Sequence, residues 1–153
     1  MVKITNVKNY SGGLEKAVHY IHDKWGSKDN YLFYKDAIFN STDDKGKLPK
    51  FFLMLEEDEI IGCYALLVND IISRQDLLPW FACLFIEETH RGNRLCQVMF
   101  DHAETEVRAG GYNVMFLTTD HAGLYEKFGW ERIEDGYGVS GNQSRIYRLY
   151  TSI

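Results

Sequence analysis

The first third of the chain changes its hydrophobic spacing at a pair of glycines. Val2, Ile4 and Val7 are consistent with a short first strand, and Gly12-Gly13 then interrupts the chain. From Leu14 to Trp25 the apolar positions are three or four residues apart, which predicts an amphipathic helix that ends at Gly26. A second helix is predicted from about Asn30 to Phe39, before a polar loop.

The middle of the chain carries longer apolar runs. The segment from Phe51 to Val68 is interrupted only by a polar turn around Asp58 and Glu59, which predicts an antiparallel hairpin. Because nearly every position in its two strands is apolar, we expect both faces of the hairpin to be covered. The run from Trp80 to Ile86 predicts another buried strand.

Helical and strand patterns alternate in the last third. Helical spacing returns from Leu95 to Ala109, and a glycine pair follows it. We then predict, in order, a strand, a short helix and two strands: Val114–Thr118, His121–Phe128, Trp130–Ile133 and Arg145–Tyr150. The complete order predicts one α/β domain over residues 1–153, with a mixed sheet and helices packed on its faces.

Length, composition and charge exclude several classes of protein. The chain has 153 residues, of which 45% are apolar and 25% charged, as in a single globular domain. Its formal charge of -5 disfavours a nucleic-acid partner. The first residues lack an apolar core of signal-peptide length, and no apolar run reaches membrane-spanning length, so we expect a cytoplasmic protein with no membrane partner. The three cysteines, Cys63, Cys83 and Cys96, lie in apolar runs without a C-x-x-C motif, which indicates reduced thiols and no metal site.

The most informative segment is the loop between the Trp80–Ile86 strand and the helix at Leu95. Free N–H groups at a helix start attract anions, and Gly92 lets the main chain approach an oxygen atom closely. Arg91 and Arg94 could add charged hydrogen bonds, although glycine and arginine also occur in such turns for geometry and solubility alone. The chain lacks the G-x-x-x-x-G-K-[ST] motif, and the loop between the Trp80–Ile86 strand and Leu95 does not match G-x-G-x-x-G, which disfavours a nucleoside triphosphatase or Rossmann site here.

Two motifs at this separation resemble those of a known family. The strand followed by R-G-x-x-L-x and a helix, and then LYEKFGW at Leu124–Trp130, are similar to motif A and the start of motif B of the GNAT-type N-acetyltransferases. The resemblance covers about Phe51 to Tyr150. It implies an α/β GNAT-like fold, with a central mixed, mostly antiparallel sheet and helices on both faces, and acetyl-CoA as the co-substrate.

The resemblance also assigns the residues that would bind the cofactor. In the family, the amides of a Q/R-x-x-G-x-G/A loop hold the pyrophosphate of acetyl-CoA, and a splayed strand binds the pantetheine arm through its backbone. The matching positions here are Leu84, Phe85, Ile86, Arg91, Gly92, Asn93, Arg94, Leu95 and Cys96. Arg94 replaces the first motif glycine and Cys96 the final Gly/Ala. We expect Arg94 to adopt ordinary helical dihedral angles, so that the amides still point outward.

The resemblance implies one catalytic side chain, Tyr125, which would donate a proton to the departing thiolate. A base for the amine is not identified by sequence. The candidates near strand ends and loops are Glu56, Asp70, Asp76, Glu87, Glu88, Asp120 and His121, and a chain of waters is the alternative. Aromatic residues between the early helices, among them Trp25 and Tyr34, are candidates for lining an acceptor cleft.

The function expected from this resemblance is transfer of an acetyl group from acetyl-CoA to a primary amine of a small, cationic molecule by direct attack in a ternary complex. Two alternatives remain open. The first is a protein or peptide N-acetyltransferase, and the second is a catalytically silent CoA-binding sensor module. A homodimer is a further expectation, because related proteins often pair.

Overall fold

A seven-stranded sheet organises the computed structural model, which describes residues 1–152. The strands are β1 Val2–Asn6, β2 Lys50–Glu56, β3 Glu59–Leu67, β4 Trp80–Ile86, β5 Val114–Thr119, β6 Glu131–Tyr137 and β7 Gln143–Tyr150. Their order in the sheet is β1-β2-β3-β4-β5-β7-β6. Every neighbouring pair is antiparallel except β4 and β5, which are parallel. The mixed, mostly antiparallel sheet is therefore confirmed.

Three α-helices pack on this sheet: α1 Leu14–Trp25, α2 Tyr31–Phe39 and α3 Leu95–Ala109. The two faces of β2 explain why its sequence is continuously apolar. Phe52 and Met54 belong to the core cluster that contains α3, whereas Leu53 and Leu55 belong to the cluster that contains α1 and α2. Side chains alternate between the faces of a strand, so both faces need apolar residues when both are covered.

Most predicted boundaries agree closely with the structure, and the exceptions lie near the C-terminal end. The bounds of α1, β4 and α3 match their predictions to the residue. The predicted helix His121–Phe128 is wrong in length, because only a single 3-10 turn forms at Tyr125–Phe128. Gly123, with φ of +86°, has a backbone conformation that a right-handed helix does not contain. No helix within residues 1–152 is long and apolar enough to cross a bilayer.

Candidate active site

β4 and β5 separate immediately after they meet. Their only register pair is Trp80 with Phe116, although β4 continues to Ile86. Cys83 has a φ of +55°, and the register between β3 and β4 shifts at the same level, beside Cys63. This irregularity bends β4 away from β5, as β-bulges do. The edge of β4 that faces β5 therefore has no strand partner over Leu84–Ile86.

A cavity of about 870 Å³ opens where the two strands diverge. It brings together nearly all the residues that the sequence assigned to a cofactor site. The predicted residues that line it are Leu84, Phe85, Ile86, Arg91, Gly92, Arg94, Leu95, Cys96 and Tyr125. Asn93 is the exception, because it lies outside the lining and its side-chain amide donates to the carbonyl of His90 at 3.3 Å.

The loop before α3 presents a series of free main-chain donors. Within the described residues 1–152, the amides of residues 92–96 donate no hydrogen bond to the protein. Gly92 has a φ of +84°, and a Cβ added there would meet no atom within 4 Å. Free amides at the N-terminus of a 15-residue helix form an anion-binding arrangement, because the helix dipole adds to them.

The backbone conformation of Arg94 differs from the one that we expected from the sequence. Its dihedral angles are φ 58° and ψ 26°, which is left-handed and not the ordinary helical conformation that we expected. Glycine favours this region because it has no Cβ to clash with the backbone, which gives a physical reason for a motif glycine at this position. Arg94 adopts this left-handed conformation although it has a side chain, and the main-chain amides that follow it in the loop remain free.

Arg91 fastens the loop to the end of β4. Its Nε donates to the carbonyl of Ile86 at 2.8 Å, and its guanidinium lies 5.4 Å from the centre of the Phe85 ring. Lys24 of α1 lies 4.9 Å from the centre of the same ring. Phe85 therefore contacts two cations, and its backbone belongs to the free edge of β4. These contacts fix the strand end against both the loop and α1.

Tyr125 also lines the cavity. It begins the 3-10 turn after β5, and its ring lies 5.8 Å from that of Tyr147 and 6.3 Å from that of Phe100. Burial raises the pKa of the phenol. Tyr125 therefore carries its proton at neutral pH and is available there as a proton donor. Burial also raises the pKa of Cys96, so this residue is a small neutral side chain, not a thiolate.

The seven candidate bases differ in whether they line the cavity. Four are outside the cavity, and three of those have partners of their own: Glu56 binds His90 at 2.9 Å, Asp76 binds Arg74 at 2.7 Å, and Glu87 accepts from Tyr20 at 2.5 Å. The fourth, Glu88, is exposed. The other three, Asp70, Asp120 and His121, line the cavity, and of these Asp70 is half-buried whereas Asp120 and His121 are exposed.

The rest of the cavity wall comes from both ends of the chain. Trp25 and Tyr34 line it, and the Tyr34 hydroxyl donates to the Trp25 carbonyl at 3.1 Å, which joins α2 to the end of α1. Sequence reasoning did not find Asn142 and Ser144, which lie before and within β7. No local pattern marks them, because they reach the cavity only through the pairing of β7 with β5.

A metal is not indicated by the histidines of α1. His22 shares a hydrogen bond of 2.6 Å with the carbonyl of Ser27, and His19 lies beside Tyr31. In the part of the chain that the structure describes, no three histidine, cysteine, aspartate or glutamate side chains cluster closely enough to hold an ion.

Comparison with known proteins gives the class of the domain. Residues 48–132, which contain β4, the loop and Tyr125, match the acetyltransferase (GNAT) domain family. The match covers more than half of the chain, so the protein belongs to the GNAT acetyltransferase family. A comparison with curated proteins gave no match.

Solved structures share the fold over nearly the whole chain. Aminoglycoside 6'-acetyltransferase type Ii matches with a TM-score of 0.71 and 13% identity, covering 100% of this chain and 98% of that one. Aminoglycoside 6'-N-acetyltransferase in complex with coenzyme A has the same score and identity, covering 99% and 98%. A GNAT-family acetyltransferase from Streptococcus pneumoniae matches with a TM-score of 0.66 and 12% identity, covering 98% and 99%. At these identities the likeness concerns the fold.

Proposed function

We propose that the protein transfers an acetyl group from acetyl-CoA to a primary amine of a small, cationic molecule. One observation carries this proposal: a single cavity contains the free amides of the loop, the unpaired edge of β4 and the protonated phenol of Tyr125. Loop amides 92–96 are suited to a pyrophosphate, and the edge at Leu84–Ile86 is suited to the amide groups of a pantetheine arm.

The residues of the cavity have distinct parts in this reaction. Acetyl-CoA supplies an activated thioester, and the fixed loop and strand hold it beside the amine, so that orientation provides much of the rate. A main-chain amide of β4 polarises the thioester carbonyl. The lone pair of the neutral amine forms the C–N bond, and the C–S bond breaks with its electrons on sulfur. Tyr125 gives that sulfur its proton and then recovers one from the new amide nitrogen.

Several features favour a small, cationic acceptor. The cavity wall contains the aromatic rings of Trp25 and Tyr34 together with the carboxyl groups of Asp70 and Asp120. Aromatic faces and carboxylates both attract ammonium groups, and the chain carries a formal charge of -5. Two of the structural neighbours are aminoglycoside acetyltransferases, which agrees with an amine acceptor of this kind.

Thiol release from acetyl-CoA tests the proposal against its alternatives. The purified protein is incubated with a panel of small polyamines and aminoglycosides, and in parallel with lysine-containing peptides. Release with small amines alone supports the proposal. Release with peptides alone identifies a peptide N-acetyltransferase, and tight acetyl-CoA binding without release identifies a silent binding module.

Two expectations from the sequence stay proposals. A homodimer is tested by sedimentation equilibrium of the purified protein, and a single mass corresponding to one 17.8 kDa chain would contradict it. A cytoplasmic location is tested by cell fractionation.

A further inference from the structure

Asp70 lies in the connection between β3 and β4, which is held in one conformation by its own hydrogen bonds. The side-chain oxygen of Asn69 accepts from the amide of Ile72 at 3.0 Å, and its side-chain nitrogen donates to the carbonyl of Arg74 at 3.3 Å. Gln75 donates to the carbonyl of Ile72 at 2.9 Å. The bonds on either side of Asp70 therefore fix its backbone where its side chain lines the cavity.

The carboxyl group of Asp70 has no partner of its own. Within residues 1–152 it makes no hydrogen bond and no ion pair, although the other polar side chains of the same connection are all engaged. Partial burial of a carboxylate without a partner costs free energy, and a cation beside it would offset that cost. Since Asp70 faces the cavity, the missing partner can reach it from there.

The protein groups around Asp70 do not provide a cation, so a ligand would have to supply the partner. Its carboxyl group lies near the Tyr34 hydroxyl of α2 and the Cys83 thiol of β4, and burial raises the pKa of each to about 12, so both stay neutral. The cationic side chains that line the cavity, Arg91 and Arg94, belong to the loop before α3. Cys83 is the residue at which β4 turns away from β5, so Asp70 lies beside the point where the cavity opens.

We propose that Asp70 binds the ammonium group of the acceptor and removes its proton before attack on the thioester. The inference rests on the proposed function. In this step one oxygen of the carboxylate takes one proton from R–NH₃⁺, leaving R–NH₂ and a neutral carboxyl group, which later returns the proton to solvent. The remaining bonds change as described for Tyr125, so the sum is R–NH₃⁺ and acetyl-CoA giving the acetamide, CoA and one proton.

The surroundings of Asp70 suit both parts of this role. The aromatic side chains of Trp25 and Tyr34 line the same cavity and favour an alkylammonium group beside the carboxylate. Burial raises the pKa of Asp70 to about 7, which is near the pH at which a base is most effective. Besides Tyr34 and Cys83, the charged or titratable groups that share the cavity are Arg91, Arg94, Cys96, Asp120, His121 and Tyr125.

The test compares Asp70→Asn with Asp76→Asn, a matched loss of a carboxylate from the same connection outside the cavity. For the amine that wild type acetylates best, Asp70→Asn should lower kcat/KM by about 100-fold or more. It should also remove the decrease in kcat/KM that protonation of Asp70 causes in wild type as the pH falls through neutrality. Asp70→Glu should restore part of both. Calorimetry should find the same acetyl-CoA affinity in all variants, which also shows that each is folded.

Amine binding provides a second readout that does not need turnover. At pH 8, calorimetry on the complex with CoA should give binding of the amine at least about tenfold weaker in Asp70→Asn than in Asp76→Asn. Wild-type kcat/KM, pH profile and amine affinity in Asp70→Asn would overturn the inference and leave the proposed function intact. A wild-type protein that acetylates no amine in the panel would overturn both.

Discussion

Asp70→Asn should make the folded protein more stable, and the gain should grow with pH. The carboxyl group of Asp70 is half-buried and has no partner within residues 1–152, and desolvation raises its pKa to about 7 from an ordinary value of 3.8. Folding therefore disfavours the charged form. Asn has nearly the same shape and carries no charge, so the substitution removes this penalty and preserves the packing.

The sign and size of the effect follow from the two pKa values. Between pH 3.8 and about 7, the folded protein retains a proton that the unfolded chain has lost, so the stability of wild type falls as pH rises. Each pH unit in this window costs about 1.4 kcal/mol, and the cost is constant above it. From pH 5 to pH 8 the stability advantage of Asp70→Asn should therefore increase by about 2.5 kcal/mol.

Urea unfolding of both proteins at pH 5, 6, 7 and 8 measures this difference directly, at constant ionic strength and without coenzyme A. The control is again Asp76→Asn. Asp76 is exposed, and its hydrogen bond from Arg74 lowers its pKa, so removing its charge should give no gain that grows with pH. A constant difference between Asp70→Asn and wild type from pH 5 to pH 8 would refute the reasoning, because it would mean that Asp70 titrates alike in both states.

Three other substitutions test the site and the fold. Tyr125→Phe should lower kcat by about tenfold or more at unchanged acetyl-CoA affinity, measured by thiol release and calorimetry, and an unaltered turnover would remove its role as an acid. Arg94→Gly should raise the free energy of unfolding by about 1 kcal/mol, because it relieves a left-handed backbone at φ 58°, and a loss of stability would contradict this. Gly62→Ala should lower it by about 1–3 kcal/mol in urea unfolding, since the new Cβ would lie 2.6 Å from the carbonyl of Phe85, and wild-type stability would show that β4 can shift.

Sequence reasoning succeeded where local pattern and final environment agree. The bounds of α1 and α3 could be predicted because each helix has one apolar face. The bounds of β4 could be predicted because the strand is a continuous apolar run. It failed for β6, predicted as Trp130–Ile133 but observed as Glu131–Tyr137. That strand lies at the edge of the sheet and is mostly polar, so hydrophobic spacing cannot show where it ends.

The same distinction applies to the site. The cofactor residues form two short continuous segments, and eight of these nine predicted positions line the cavity. The residues proposed to hold the acceptor come from α1, α2 and the connection before β4, which are distant in sequence. Asp70 was one of seven candidates on sequence grounds. Burial and the lack of a partner distinguish it, and both depend on tertiary contacts that a single sequence does not contain.

Arg94 shows that the loop can adopt its left-handed conformation without the glycine of the motif. A glycine adopts a positive φ without cost, whereas an arginine there costs about 1–2 kcal/mol. The surrounding structure imposes the same φ on Arg94, and the amides of residues 92–96 remain free. The departure from the motif therefore reduces stability while preserving the donor geometry, and it places an additional positive charge at the cavity wall. If the loop binds a pyrophosphate, that charge favours the bound state. Arg94→Gly should therefore weaken acetyl-CoA binding while it increases the free energy of unfolding.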